Sequence, residues 1–286
     1  MNREIDVLMP LNLLSGNTEI YVENSVKSLN ELDFWNKRII IPAKVPKDNR
    51  SEIHKITREL KGDISIIADT HIKPTGYETW LREYIENNHI TSKYTLMMQG
   101  DVILHKDTLS ILKNTLEVTE KSVAVPMLNR AHGSKIQTVK LDYNSGIEET
   151  LSRYVEDSAD KPILLSNWFD RSVALFRTED LKNVDWGFMD FYQGRHWIFD
   201  ELAIKLGGAA IDQRVLAYNG VRDKPNGEYS GKLSEIGIGW GPDISKNFAL
   251  NSSQVMQGTV EFIKSNGIYQ TTKMAIEKKL GITRKL

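Results

Sequence analysis

The sequence predicts an α/β fold with a mostly parallel central sheet and helices on both faces. Two observations carry this. Short apolar runs alternate with helix-periodic segments through the first 130 residues, the order that parallel crossovers produce. The runs are also continuous rather than alternating, as expected of strands buried on both faces.

In chain order, Ile5 to Pro10 is a first strand, followed by a loop with Asn12, Ser15, Gly16 and Asn17. Thr18 suits a helix cap, and Ile20, Val22, Val26, Leu29 and Leu32 follow at roughly helical spacing. Arg38 to Pro42 repeats the strand signal, Ser51 to Leu60 reads as a helix on Ile53, Ile56 and Leu60, and Ile64 to Ala68 is a third strand. Tyr77 to Asn87 is helical and Tyr94 to Met98 is a buried strand. Thr108 to Glu120 is a further helix and Ser122 to Pro126 a further strand.

Beyond Arg130 the pattern loosens into a loop at His132 to Ser134 and a polar stretch from Asp142 to Lys161. Ser172 to Arg177 is strand-like, and Trp186 to Trp197 is rich in aromatics and glycine. Phe199 to Leu206 is an apolar-periodic helix that stops at Gly207-Gly208, and Ala210 to Tyr218 is a strand. Glycine and charge dominate Val221 to Asn247, and two helices are expected at Ser253 to Ser265 and Thr271 to Leu280. The organisation predicted is one domain over 1–220, with halves 1–130 and 131–220, then a loop and a C-terminal helical extension over 221–286.

The most informative stretch is Tyr94 to Leu104, where an apolar run stops at Gln99-Gly100-Asp101 and a second follows at once. Gly100 lets the backbone turn, which puts Asp101 at the C-terminal edge of a buried strand, where open α/β sheets bind ligands. A carboxylate between two apolar segments needs a partner: a metal ion, a hydrogen-bond donor or water. A solvated turn aspartate is the plain alternative.

The composition bounds the function. With 37 Lys+Arg against 38 Asp+Glu, the formal charge of −1 provides no global field for nucleic acid or anionic lipid. No cysteine is present, so disulfides, thiolate zinc sites and thiol catalysis are excluded, and a reducing cytoplasm is the expected location. No apolar run approaches the roughly 20 residues that span a bilayer.

The order of these pieces over Ile5 to Tyr218 resembles the GT-A-fold inverting glycosyltransferases, which use nucleotide-sugar donors. Pro10 and Asn12 look like the family's opening strand-Pro-x-Asn element, and Gln99-Gly100-Asp101 stands where the family has Asp-x-Asp. Ser172 to Arg177, Trp186-Gly-Phe, and Phe199-Asp-Glu followed by a helix ending at Gly208 are similar to its acceptor-side half. Gln99 departs from the motif, removing one carboxylate contact, and Asn219 stands nearest to a histidine often found after the last strand.

The resemblance implies transfer of a sugar from a nucleotide-diphosphate-sugar to a hydroxyl acceptor: a glycan, a lipid-linked glycan or a hydroxylated DNA base. A leaving diphosphate needs positive charge, supplied by Mn²⁺ or Mg²⁺ or by basic side chains. Asp101 is the implied metal ligand, with Pro10, Asn12, Lys73, Gln99 and Gly100 as donor contacts. Inversion needs a base for the acceptor hydroxyl, and Asp200 and Glu201 are the two choices, Asp200 preferred. Trp186, Arg195, His196 and Trp197 form the expected acceptor or phosphate rim. The same acids can instead be N-terminal helix charges stabilised by the macrodipole.

Two other readings compete: a degenerate sugar- or nucleotide-binding relative, and a sugar-1-phosphate nucleotidyltransferase, whose glycine-rich first loop Leu11 to Gly16 lacks. The tail from Thr271 carries five basic residues against Glu277, so peripheral contact with a lipid or nucleic-acid surface is a further expectation beside a solvated helix face.

Overall fold

The structure, a computed structural model, describes residues 4–12, 18–32, 37–44, 50–61, 63–69, 77–87, 89–100, 102–129, 137–139, 147–170, 172–187, 197–219 and 284–285. The predicted α/β class is what it shows: strands and helices alternate around a central sheet. The nucleotide-side strands are β1 (Ile5–Leu8), β2 (Leu11–Asn12), β3 (Lys37–Lys44), β4 (Asp63–Asp69) and β5 (Tyr94–Met98). They are separated by α1 (Thr18–Glu31), α2 (Arg50–Glu59) and α3 (Tyr77–Glu86). Then come β6 (Val102–Leu104), α4 (Thr108–Thr119), β7 (Val123–Asn129), β8 (Thr138–Val139), α5 (Ile147–Asp157) and β9 (Ile163–Ser166). The chain continues through β10 (Val173–Arg177), α6 (Thr178–Lys182), α7 (Trp197–Lys205) and β11 (Ala209–Asn219), and β12 (Arg284–Lys285) returns at the end.

The strands β4, β3, β1 and β5 are mutually parallel. Antiparallel β10 is wedged between β5 and β7, and β7 pairs parallel with β11. Side-chain alternation divides the core between the two faces of the sheet. Ile5, Val7, Leu96, Met98, Val173 and Leu175 pack with Leu29 of α1 and Leu112 and Leu116 of α4. Leu8, Met97, Ala174 and Phe176 pack with Leu81 of α3, Leu151 of α5 and Leu202 of α7. Every one of these side chains is buried, which contributes about 1.5–3 kcal/mol for each large aliphatic or aromatic group.

Two buried carboxylates fix the strands. Asp6 of β1 takes two hydrogen bonds from Arg38 of β3 (2.9 and 3.0 Å) and two from the backbone N–H groups of Thr91 and Ser92 ahead of β5. One charge thus ties three neighbouring strands. Asp212 of β11 takes Arg214 Nε at 2.9 Å, Arg214 Nη2 at 2.6 Å and the Arg214 backbone N–H at 2.9 Å, and the Thr115 hydroxyl of α4 donates to it as well. This clamp sits on a register break: Asp212 faces Pro126, but Leu216 faces Met127, so residues 213–215 bulge out of β11. The bulge explains why a proline is tolerated inside β7. Pro126 has no N–H to donate, and β11 offers no regular ladder beyond it. Past the bulge β11 gains a second partner, with Val102 to Leu104 of β6 pairing antiparallel to Asn219 to Ala217.

Several boundaries differ from the sequence reading. The polar stretch after Asp142 contains helix α5, whose Leu151 and Tyr154 are buried under a charged outer face. Asn12, expected in a loop, lies in β2 and pairs with Lys44. The two C-terminal helices of the expected extension lie outside the described residues. At the end of the tail, Arg284 and Lys285 pair with Leu165 and Leu164 of β9, so this part of the basic segment is an edge strand rather than a helix face. Among the described residues no helix is long and apolar enough to cross a membrane.

Helix α7 stops in a Schellman motif: Gly208 N–H donates to the Ala203 carbonyl (2.7 Å) and Gly207 N–H to the Ile204 carbonyl (2.9 Å). Both glycines have positive φ, +71° and +95°, but only at Gly208 would a Cβ meet backbone, 2.9 Å from the Ser166 carbonyl oxygen. Gly207→Ala should therefore cost about 1 kcal/mol from the left-handed backbone alone, and Gly208→Ala more, about 2–3 kcal/mol. Urea unfolding of the two variants reads the difference, and equal losses would contradict the close approach.

Burial, reinforced by the Asp212 carboxylate, pushes the Tyr154 phenol up to about 12. The folded state therefore holds this proton more tightly than the unfolded chain, whose tyrosine titrates near 10. The stability it contributes is complete below about pH 10 and is lost as pH rises from there through about 12. Tyr154→Phe should flatten that alkaline fall in unfolding free energy; an unchanged pH profile would show that Tyr154 is not its source.

Candidate functional site

The C-terminal edge of the parallel strands is where the chain brings its distinctive residues together. After β1, Met9 N–H donates to the Ile40 carbonyl at 3.0 Å and Pro10 is buried beside it. After β5, Gln99 is only 9% exposed and its N–H donates to the Ser172 carbonyl at 2.9 Å, just ahead of β10. Gly100 makes the turn, and the Val102 N–H returns to the Gln99 carbonyl at 3.2 Å. Because Val102 then pairs with Asn219, and Tyr218 pairs with Asn129, the ends of β5, β7 and β11 meet through β6 at one edge.

The loop ahead of β10 is braced from the same side. Asp170 Oδ1 accepts from the Ser172 N–H (2.8 Å) and from the Ser172 hydroxyl, while the Asp170 N–H donates to Gln137 Oε1 at 2.9 Å. Gln137 is fully buried, its Nε2 donating to the Pro126 carbonyl at 2.8 Å and its own carbonyl accepting the Leu128 N–H at 2.7 Å. These bonds tie β7, the loop before β10 and the turn after β5 into one frame.

Helix α7 delivers the acidic pair to this frame. It ends at the opposite edge, where β11 begins, so its first turn lies at the edge where β11 finishes. Phe199 packs edge-on against Phe169, three residues before Ser172, with ring centroids 5.5 Å apart. Asp200 follows Phe199 in this first stretch of α7. Glu201 is 3% exposed, and its Oε1 lies 3.7 Å from Lys205 Nζ one turn further on. The acidic neighbours thus have different settings, Glu201 being packed into the core side of the helix.

Of the remaining expected residues, Asn12 sits at the end of β2 on this edge and Trp197 opens α7. Asp101, Lys73, Arg195 and His196 lie outside the described residues. Trp186 corrects the expectation of an exposed rim. It is 4% exposed, with its indole N–H donating to the Leu181 carbonyl at 3.1 Å, and so packs as core because a buried indole needs such an acceptor. Sequence reasoning missed Gln137, Asp170 and Asn129; single polar residues beside strands carry no periodic signal. Asn129 is 4% exposed and its Nδ2 has no hydrogen-bond partner among the described residues. Also among the described residues, no three His, Asp or Glu side chains come together as a preformed metal cage.

With this geometry in view, comparison with solved structures places the fold. No family model matches the sequence, and no curated protein matches it. Structures of Staphylococcus aureus TarS are similar. The 1–349 chain in complex with UDP-GlcNAc superposes with a TM-score of 0.51 at 14% identity, over 88% of this chain and 66% of that one. A longer TarS chain gives 0.53 at 15% identity, over 93% of this chain and 50% of that one. The mannosyltransferase PcManGT from Pyrobaculum calidifontis, in complex with GDP-Man and Mn²⁺, gives 0.50 at 13% identity over 98% of this chain and 81% of that one. The chain therefore has the mixed α/β fold of GT-A-like glycosyltransferases. It spans about two thirds of one TarS chain and half of the other.

Asn129 offers a direct check on this edge. If its amide has no protein partner, the near-isosteric Asn129→Leu should leave the unfolding free energy unchanged or raise it by about 1 kcal/mol, because an apolar group removes an unmet donor. A loss above about 1 kcal/mol in urea unfolding would show instead that the amide is bonded within the fold.

Proposed function

We propose that this chain is a glycosyltransferase that takes a sugar from a nucleoside-diphosphate donor and passes it, with inversion, to a hydroxyl acceptor. The observation that carries the reading is the meeting of the Gln99-Gly100 turn, the β6–β11 pair and the first turn of α7 at one sheet edge. The solved structures of similar fold that hold UDP-GlcNAc or GDP-Man with Mn²⁺ support the donor class.

On this reading Pro10, Asn12, Gln99 and Gly100 shape the donor cleft, and Lys73 reaches a phosphate. Asp101 would hold Mn²⁺ or Mg²⁺, hard cations that accept oxygen ligands from one carboxylate, the diphosphate and water. Bound there, the cation would offset the charge that grows on the leaving diphosphate. Asp200 takes the acceptor proton. Glu201 is the weaker choice because it is buried and held near Lys205. Arg195, His196 and Trp197 form the rim for phosphate or acceptor; Trp186, packed beneath the surface, is left out of it. A degenerate binding protein is the second reading, favoured by Gln99 in place of an acid.

The test is a thermal-shift and calorimetry panel of UDP, GDP, CDP and TDP with and without Mn²⁺. One nucleotide should stabilise the protein in a metal-dependent way, by about 2.7 kcal/mol at a hundredfold excess over Kd. Silence across the panel would sink the donor assignment. Asp101→Asn should remove the Mn²⁺-dependent increment, and unchanged binding would move the metal elsewhere. Asp200→Asn should keep donor affinity while cutting turnover by about a hundredfold or more. Retained turnover would transfer the role to Glu201, and an absence of any turnover or donor hydrolysis in the unaltered protein would favour the binding protein.

A further inference from the structure

We infer that Gln99 is a positioning residue that locks the turn after β5 to the loop before β10, and that the Asp170 carboxylate is what requires an uncharged amide at position 99. The inference deepens the donor-site reading above and rests on it for the turn's role in binding.

The geometry supplies both parts. Gln99 is held twice by the same residue: its backbone N–H donates to the Ser172 carbonyl at 2.9 Å, and its side-chain Oε1 lies 3.5 Å from the Ser172 hydroxyl oxygen. That hydroxyl is also bonded to Asp170 Oδ1, and Asp170 is bonded through its N–H to buried Gln137 and so to β7. A serine hydroxyl has one proton, and an ionised carboxylate is a stronger acceptor for it than an amide oxygen. The side chain at 99 must therefore meet the lone pairs left on the Ser172 oxygen. A glutamine can turn its NH₂ group toward them, whereas a carboxylate brings only acceptors.

A carboxylate at 99 would also place a second negative charge one hydroxyl away from Asp170, in a setting where Gln99 is 9% exposed. Two carboxylates that close do not both ionise without cost. The residue that departs from the acidic motif is thus matched to its surroundings. It holds the turn by hydrogen bonding to the half of the sheet that follows, and the turn is preset before any ligand arrives.

A double-mutant cycle tests this: Gln99→Glu, Asp170→Asn and the pair together, with Gln99→Ala as a fourth variant. Melting temperature at pH 7.5 and calorimetric Kd for the nucleotide that the panel identifies, with Mn²⁺, are the two readouts. Gln99→Glu should lower Tm by at least about 3 °C, and Asp170→Asn in the same chain should recover most of that loss. Gln99→Glu and Gln99→Ala should each weaken nucleotide binding by about tenfold, with the double variant within about threefold of the unaltered protein.

Additive effects in the double variant would overturn the inference, as would unchanged nucleotide affinity in Gln99→Ala. If Gln99→Glu does not fold at pH 7.5, folding of the double variant under the same conditions is the rescue expected, and its failure to fold counts against the inference. If the unaltered protein binds no nucleotide, the donor reading fails and with it the turn's role in binding. The Tm cycle would then still decide whether Asp170 selects the residue at 99.

Discussion

The Asp212–Arg214 clamp is the constraint on which the functional edge depends. A carboxylate with no solvent access has to be paired on all sides, and here Arg214 and Thr115 do so across a break in the β7–β11 register. Breaking such a pair would leave an uncompensated charge in the core, a loss of about 3–5 kcal/mol. The clamp therefore fixes where β11 departs from its ladder. Without that departure β11 could not take β6 as a second partner, and Val102 would not meet Asn219.

A second network does for the turn after β5 what the clamp does for β11. Gln99, Ser172, Asp170 and Gln137 run from β5 to β7 across the loop that leads into β10. Strand β10 itself runs against its neighbours, so its beginning, rather than its end, lies at the ligand edge. The two halves of the sheet thereby share one frame at that edge, and a change on one side is felt on the other. This coupling suits a site that must present a donor from one half to an acceptor from the other.

Much of the fold was legible because its signals are local. Continuous apolar runs marked β1, β3, β5 and β7, and the Gly207-Gly208 pair marked the end of α7 because only glycine suits both positive φ values there. Helix α5 was missed although Ile147, Leu151 and Tyr154 are spaced for it, since acidic residues on the outer face outnumber the few apolar ones. Strand β12 had no signal at all: two basic residues become a strand only because the edge of β9 offers unpaired backbone. The candidate site was half legible. Gln99-Gly100 and the position of Asp200 follow from strand and helix boundaries, but Trp186 read as a rim aromatic until its burial against Leu181 was seen.

By itself, the sequence determined the α/β class, the turn that follows β5 and the helix that carries the acidic pair, because each depends on the hydrophobic pattern of a short window. Only the tertiary structure decided that Glu201 lies near Lys205, that Pro126 sits opposite a bulge, and that Gln99 answers to Asp170. Those facts come from contacts between residues far apart in the chain. Hydrogen-bond satisfaction of a buried group depends on which distant partner the fold brings within about 3 Å, and no local pattern encodes that.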